Sequence, residues 1–220
     1  MAITTLDGAV AGFQYPRHFA KAVTATLVAG RPTSLWSLAG NPGAGSFDTT
    51  LAGVALSSTS SAVAGQIPFT DPSSGNAYLA RLQANATQAG VLMLVDRLWH
   101  NGGITITNGS TAQTVNSATW PARDASGSTD GVGVLCALEV SAATGAGTPT
   151  LTLTYTNSSN TGSRTTTNII ATVASSAIGA TYFFGLQAGD VGIRSIQTYQ
   201  QSATWTSGTV NLVAYRILAS

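Results

Sequence analysis

The sequence predicts an all-β protein: a jelly-roll-like β-sandwich preceded by an irregular N-terminal arm. Three observations carry this expectation. From about Gly131 to Ser220, apolar and polar residues alternate with a period of two, as on strands whose side chains point to opposite faces in turn. Turn residues punctuate these runs at intervals of roughly a dozen positions. Residues that favour exposed helix are scarce, with Lys21 the only lysine and Glu139 the only glutamate, and Ser and Thr supply the polar share instead.

Residues 1–50 read as the arm. Phe13, Tyr15, Arg17, His18 and Phe19 crowd around Pro16 without sustained alternation. The apolar run 22–29 predicts a short strand, which Arg31-Pro32 ends, because proline lacks an N–H and restricts the residue before it. Leu35, Trp36 and Leu38 precede a glycine-rich loop, residues 40–45. A segment that is apolar yet irregular buries its side chains by lying along something else, either its own domain or a neighbouring subunit.

Residues 51–220 read as the sandwich, with a long loop near its start. Residues 46–77 are small and polar, with turn signals at Pro68, Asp71-Pro72 and Gly75-Asn76, and predict a surface excursion. Tyr78, Ala80, Leu82 and Ala84 alternate with Arg81, Gln83 and Asn85, which favours a strand over a helix. Residues 91–99 predict a strand buried on both faces. Asn101-Gly102-Gly103 predicts a hairpin turn into a strand through Ile104 and Ile106. Strands follow at 132–140 and 150–156, the latter forming a hairpin with 164–173. Residues 182–186 predict an aromatic strand. Along 191–205 the alternation slips between Ile193 and Ile196, which predicts a β-bulge, and 209–218 is the last strand. Uneven strands with long connections favour a jelly roll over an immunoglobulin-like sandwich.

Charged residues make up 8% of the chain, against an average near 25%, and that deficit suits a surface covered by copies of itself or by partners. A formal net charge of +1, with arginines scattered singly, leaves no electrostatic footprint for nucleic acid. Cys136, the only cysteine, excludes an intrachain disulfide and reads as a buried hydrophobe. The N-terminus has no basic and apolar leader pattern and no apolar run reaches the ~20 residues of a membrane span, so synthesis in a cytoplasm without export or a membrane partner is expected.

Catalytic templates find no match. The glycines of residues 40–45 lack a following Lys-Ser/Thr, and no Gly-x-Ser-x-Gly elbow occurs. Asp96 and His100, joined in space by Asp124 or Asp130, would be too few and too far apart along a strand for a metal site; pairing of Asp96 and Arg97 with neighbours and capping of the turn by His100 are expected instead. Seven Asp and one Glu are scattered too thinly for a sugar-cleaving site. A non-enzymatic protein without catalytic residues, cofactor or metal is expected. Trp99 and Trp205, on predicted strands, read as core. Trp36 and Trp120, beside Pro and Gly, join Phe13, Tyr15, Arg17 and Phe19 as interface candidates.

Several stretches resemble virion proteins of tailed bacteriophages: the opening Met-Ala-Ile-Thr-Thr-Leu-Asp-Gly, Val95-Asp-Arg-Leu-Trp-His-Asn-Gly102, Trp120-Pro-Ala-Arg-Asp124, Gly145-Ala-Gly-Thr-Pro-Thr-Leu151 and Trp205-Thr-Ser-Gly-Thr-Val-Asn-Leu-Val-Ala-Tyr-Arg216. The resemblance covers most of the chain. It implies a capsid decoration (cement) protein on the capsid surface of the virion, bound to the major capsid protein, self-associating as a homotrimer, and held to the shell through an arm or loop. A tail or fibre-associated receptor-binding protein is the alternative, although no fibre-like repeat or long coiled coil is present. A hydrolase of cell-wall glycan is the third class.

Overall fold

The computed structural model describes residues 4–13, 17–21, 27–56, 63–68, 77–83, 85 and 89–220. In chain order the elements are α1 (Leu6–Gly12), β1 (Ala20–Lys21), β2 (Gly40–Asn41), β3 (Val54–Ala55), β4 (Leu94–His100), β5 (Gln113–Thr114), β6 (Val134–Ala142), β7 (Leu151–Asn157), β8 (Arg164–Thr167), β9 (Thr181–Phe183), β10 (Ile193–Gln201) and β11 (Thr209–Ala219). Two antiparallel sheets pack face to face. One has the order β3-β4-β11-β6-β9 and the other β5-β10-β7-β8, while β1 and β2 form a small separate ribbon. The all-β sandwich expected from the alternation is present.

The core lies between the two inner faces. Val134, Cys136, Leu138 and Val140 of β6 and Val210, Leu212 and Ala214 of β11 meet Leu151, Leu153 and Tyr155 of β7 and Ile193, Ile196 and Tyr199 of β10. Two irregularities decide which side chains enter it. Register shifts in β10 between Ile193 and Ser195 and between Ile196 and Thr198 put two isoleucines three positions apart on the same face. A shift in the β4–β11 ladder lets the neighbours Leu98 and Trp99 both reach the core. Each fully buried tryptophan finds an acceptor, which removes the cost of an orphaned indole N–H. Trp99 donates to the Ala52 carbonyl at 2.9 Å, Trp120 to Ile193 at 2.8 Å and Trp205 to Val173 at 3.3 Å. Cys136 is buried and free, and burial pushes its thiol pKa up.

The structure departs from the sequence reading at several elements. Residues 101–106 are not a hairpin, although Ile104 and Ile106 are buried as their alternation implied. Asn101 is instead drawn inward: its backbone N–H and side-chain oxygen bond the Leu212 backbone and its amide nitrogen donates to Leu51. Gly102 passes so close to Asp48 that a Cβ there would lie 1.8 Å from its carbonyl oxygen. The hairpin strand at 164–173 stops at Thr167, because the Asn168 side chain takes the Leu151 N–H at 2.7 Å and its backbone bridges to Phe184 of the other sheet. Residues 77–83 are in no strand, and the strand expected at 91–99 begins only at Leu94. Part of the strand expected over 22–29 lies outside the described residues, and 27–30 are a turn region without strand pairing. Helix α1 was not foreseen. It is capped by Thr5, whose hydroxyl accepts from Gly8 N at 3.0 Å, and carries Asp7 in its first turn. No helix among the described residues is long and apolar enough to cross a membrane.

Candidate functional site

The unusual residues of the chain meet on the outer face of the five-stranded sheet. Alternation along β6 places Glu139 opposite the core-facing set, and the Arg97 side chain on β4 reaches it across β11. Arg97 Nη1 lies 3.0 and 2.9 Å from the two Glu139 oxygens, and both side chains are 8% exposed. Arg97 Nε donates to His100 Nδ1 at 3.2 Å. The guanidinium carbon sits 4.5 Å from the Trp36 ring centre and 5.0 Å from that of Phe47. Both rings also touch His100, with centroid separations of 6.0 and 5.4 Å. Around this centre Leu135, Ala137, Phe183, Val213 and Tyr215 form a second apolar cluster that includes Phe47.

Trp36 and Phe47 belong to the predicted arm, so the arm from Pro32 onward is fastened to its own sandwich. Ser34 N donates to Gly179 at 2.7 Å and Thr181 N to Pro32 at 3.1 Å. Gly45 N donates to the Trp36 carbonyl at 2.8 Å, and a Cβ on Gly45 would lie 2.2 Å from the indole ring. The glycine-rich loop therefore serves close packing against Trp36, not phosphate. Lys21, the only lysine, donates to the carbonyls of Leu38, Pro42 and Gly43 at 3.1, 2.6 and 3.0 Å and ties β1 to that loop. Burial lowers its pKa.

Electrostatics mark this cluster as a fastening. Burial and then the Arg97 charge push the His100 pKa down to about 4, against a weaker opposing pull from Asp48. His100 is thus neutral near pH 7 and presents Nδ1 as an acceptor. Burial also lowers the Arg97 pKa, and Glu139 opposes that fall. Arg97 Nη2 and Trp36 Nε1 are buried without a hydrogen-bond partner among the described residues. The cluster holds a buried cation, its counter-ion and an aromatic surround, and it offers no nucleophile.

Two further carboxylates are committed to loops. Asp124 accepts from the backbone N–H groups of Ser126, Ser128, Gly131 and Val132 and from the hydroxyls of Ser126 and Ser128. Burial alone would raise its pKa; these donors outweigh it and hold the carboxyl far below its ordinary value. Asp190 accepts from Tyr155 Oη at 2.5 Å, Asn157 Nδ2 at 2.7 Å and Arg164 Nε at 3.0 Å. Against the raising effect of burial, the bonds from Arg164, Tyr155 and Asn157 bring it to about 2. Both act as loop organisers, and no cluster of His, Cys, Asp or Glu suited to a metal ion occurs among the described residues.

Among the described residues, the interface candidates do not form one cluster. Phe13 caps the C-terminus of α1 and is exposed, Arg17 is exposed, and Phe19 is half-buried. Tyr15 lies outside the described residues. Trp36 is half-buried against its own sheet. Trp120 is 1% exposed and packs on Trp99 at 5.4 Å, so its place beside Pro121 misled the surface reading: the indole is core. Arg97, His100, Phe47 and Glu139 were missed as a cluster. The available signal was a lone glutamate in the middle of a buried strand, which needs a cation nearby. Asp96 does pair with neighbours as expected, with Arg123 at 3.1 Å and Arg216 at 3.5 Å. No protein-family model, curated protein or solved structure matches the chain.

Proposed function

We propose that the protein is a non-enzymatic structural component of a tailed-bacteriophage virion, a jelly-roll-like decoration protein that binds major capsid protein subunits and stabilises the shell as a homotrimer. The observation that carries this reading is helix α1. Leu6 and Val10 stand at i and i+4 on one face of the helix, the apolar C-cap Phe13 follows it, and the three are 79, 60 and 68% exposed. No residue of α1 is buried. A capped helix with an unpartnered apolar stripe fits the helix-in-groove mode of recognition, and its position ahead of the fastened segment makes it the reaching part of the arm. Low charge, the resemblance of the sequence and the commitment of every buried carboxylate described above to structural bonds support the same reading.

The test uses purified particles lacking this protein and measures cosedimentation of the full chain. The triple variant Leu6→Ser, Val10→Ser, Phe13→Ser is expected to lose at least tenfold in apparent affinity for the shell while its unfolding midpoint stays unchanged. Undiminished binding of that variant would overturn the role of α1. Copy number in native particles checks the location: hundreds of copies per head agree with decoration, and a dozen or fewer contradict it.

A further inference from the structure

We propose that residues 77–83 of one copy add as a strand to the open edge of β4 in a second copy. This deepens the self-association in the reading above and rests on it, but it concerns a different surface from α1. Three observations carry it.

The first is a segment with a strand's pattern and no strand's partner. Tyr78, Ala80 and Leu82 alternate with Leu79, Arg81 and Gln83, yet residues 77–83 belong to no sheet and all but Leu82 are exposed, Tyr78 to 82%. The second is an edge without a neighbour. The two-residue β3 pairs only with Trp99 and His100, and Leu56 N reaches the Leu98 carbonyl at 2.9 Å. Beyond that bond, residues 94–97 have no strand on their outer side among the described residues. Natural edges are blunted by lysine, proline or free charge. This one has neither lysine nor proline, and its two charges are engaged: Arg97 with Glu139, and Asp96 with Arg123 and Arg216.

The third is apolar surface beside that edge. Val95 stands opposite Ile217 in the ladder, and Val91, Met93, Val95, Ile217 and Leu218 are all exposed. A segment donated to a different surface on the next copy is a head-to-tail contact, which forms a ring where the rotation between copies closes and a filament where it does not.

Light scattering on the purified full-length chain, with no particles present, tests this. The wild type is expected at a multiple of 22.2 kDa. Ala80→Pro removes a ladder donor from a segment that makes no ladder bonds with other described residues of its own chain, so it is expected to give folded monomer whose unfolding midpoint no longer depends on protein concentration. Val95→Lys, on the accepting edge, is expected to do the same. The α1 triple variant is expected to keep the oligomer mass. A monomeric wild type, an Ala80→Pro oligomer, or dissociation caused only by the α1 variant would each overturn the proposal. Shell binding is read separately on particles, so failure of strand addition and failure of the capsid role give different results.

Discussion

Glu139→Ala is expected to cost about 3–5 kcal/mol of folding stability, because it leaves the Arg97 guanidinium buried without its counter-ion. Arg97 Nη1 makes both carboxylate bonds, at 3.0 and 2.9 Å, and Nη2 already has no partner among the described residues. The ring faces of Trp36 and Phe47 soften the loss without replacing the anion, since a cation–π contact is worth about 0.5–2 kcal/mol. For a chain of this size the change corresponds to a fall in melting temperature on the order of 10 °C. The double variant Arg97→Met, Glu139→Leu removes both charges and is expected to stay within about 1–2 kcal/mol of wild type, because it leaves nothing unpaired. Urea denaturation of the three proteins checks this. A loss below ~1 kcal/mol for Glu139→Ala would show that the pair is solvated, as exposed pairs are.

Acidification from pH 6.5 to 4 is expected to remove about 3 kcal/mol through His100 alone. Its pKa falls from the ordinary 6.5 to about 4 on folding. Between those values the unfolded chain binds the proton and the folded chain refuses it. The contribution is therefore fully present above pH 6.5, declines as pH falls and levels off below pH 4. The protonated imidazole would lose its acceptor role toward Arg97 Nε and set a second cation beside the first, with Asp48 the facing anion that partly offsets it. His100→Gln is expected to flatten the stability profile across this window. Denaturation midpoints at pH 7 and pH 5 measure the slope, and an unchanged slope in the variant would assign the acid sensitivity to other groups.

The fold was legible because period-two alternation marks strands that are buried on one face. Strands 132–140, 150–156 and 209–218 appear within about two residues of their expected bounds, and the slip between Ile193 and Ile196 was a visible trace of the bulged β10. What failed was the identification of partners. Asn101-Gly102-Gly103 has the chemistry of a hairpin turn, but tertiary packing of 48–51 against it overrode the local preference. Residues 77–83 carry a strand's pattern, and no periodicity says whether a partner strand exists in the same chain. Trp36 and Trp120 looked alike in sequence, both in irregular chain beside Pro or Gly, and they separate only in space: one against the outer face, the other in the core. The Arg97–Glu139 pair depends on β11 passing between β4 and β6, an arrangement of strands that alternation along a single strand does not encode.

The ion pairs have one more consequence, for proteolysis. All five arginines from position 97 onward, Arg97, Arg123, Arg164, Arg194 and Arg216, are held by carboxylates. Lys21 is clamped by three carbonyls. The exposed trypsin sites are Arg17, in the arm, and Arg81, in the unpaired segment ahead of β4, because Pro32 blocks cleavage after the exposed Arg31. Brief digestion of the native chain should nick it there and spare the sandwich. The same two bonds then become reporters, with protection at Arg17 following attachment of the arm and protection at Arg81 following assembly of the chain with itself.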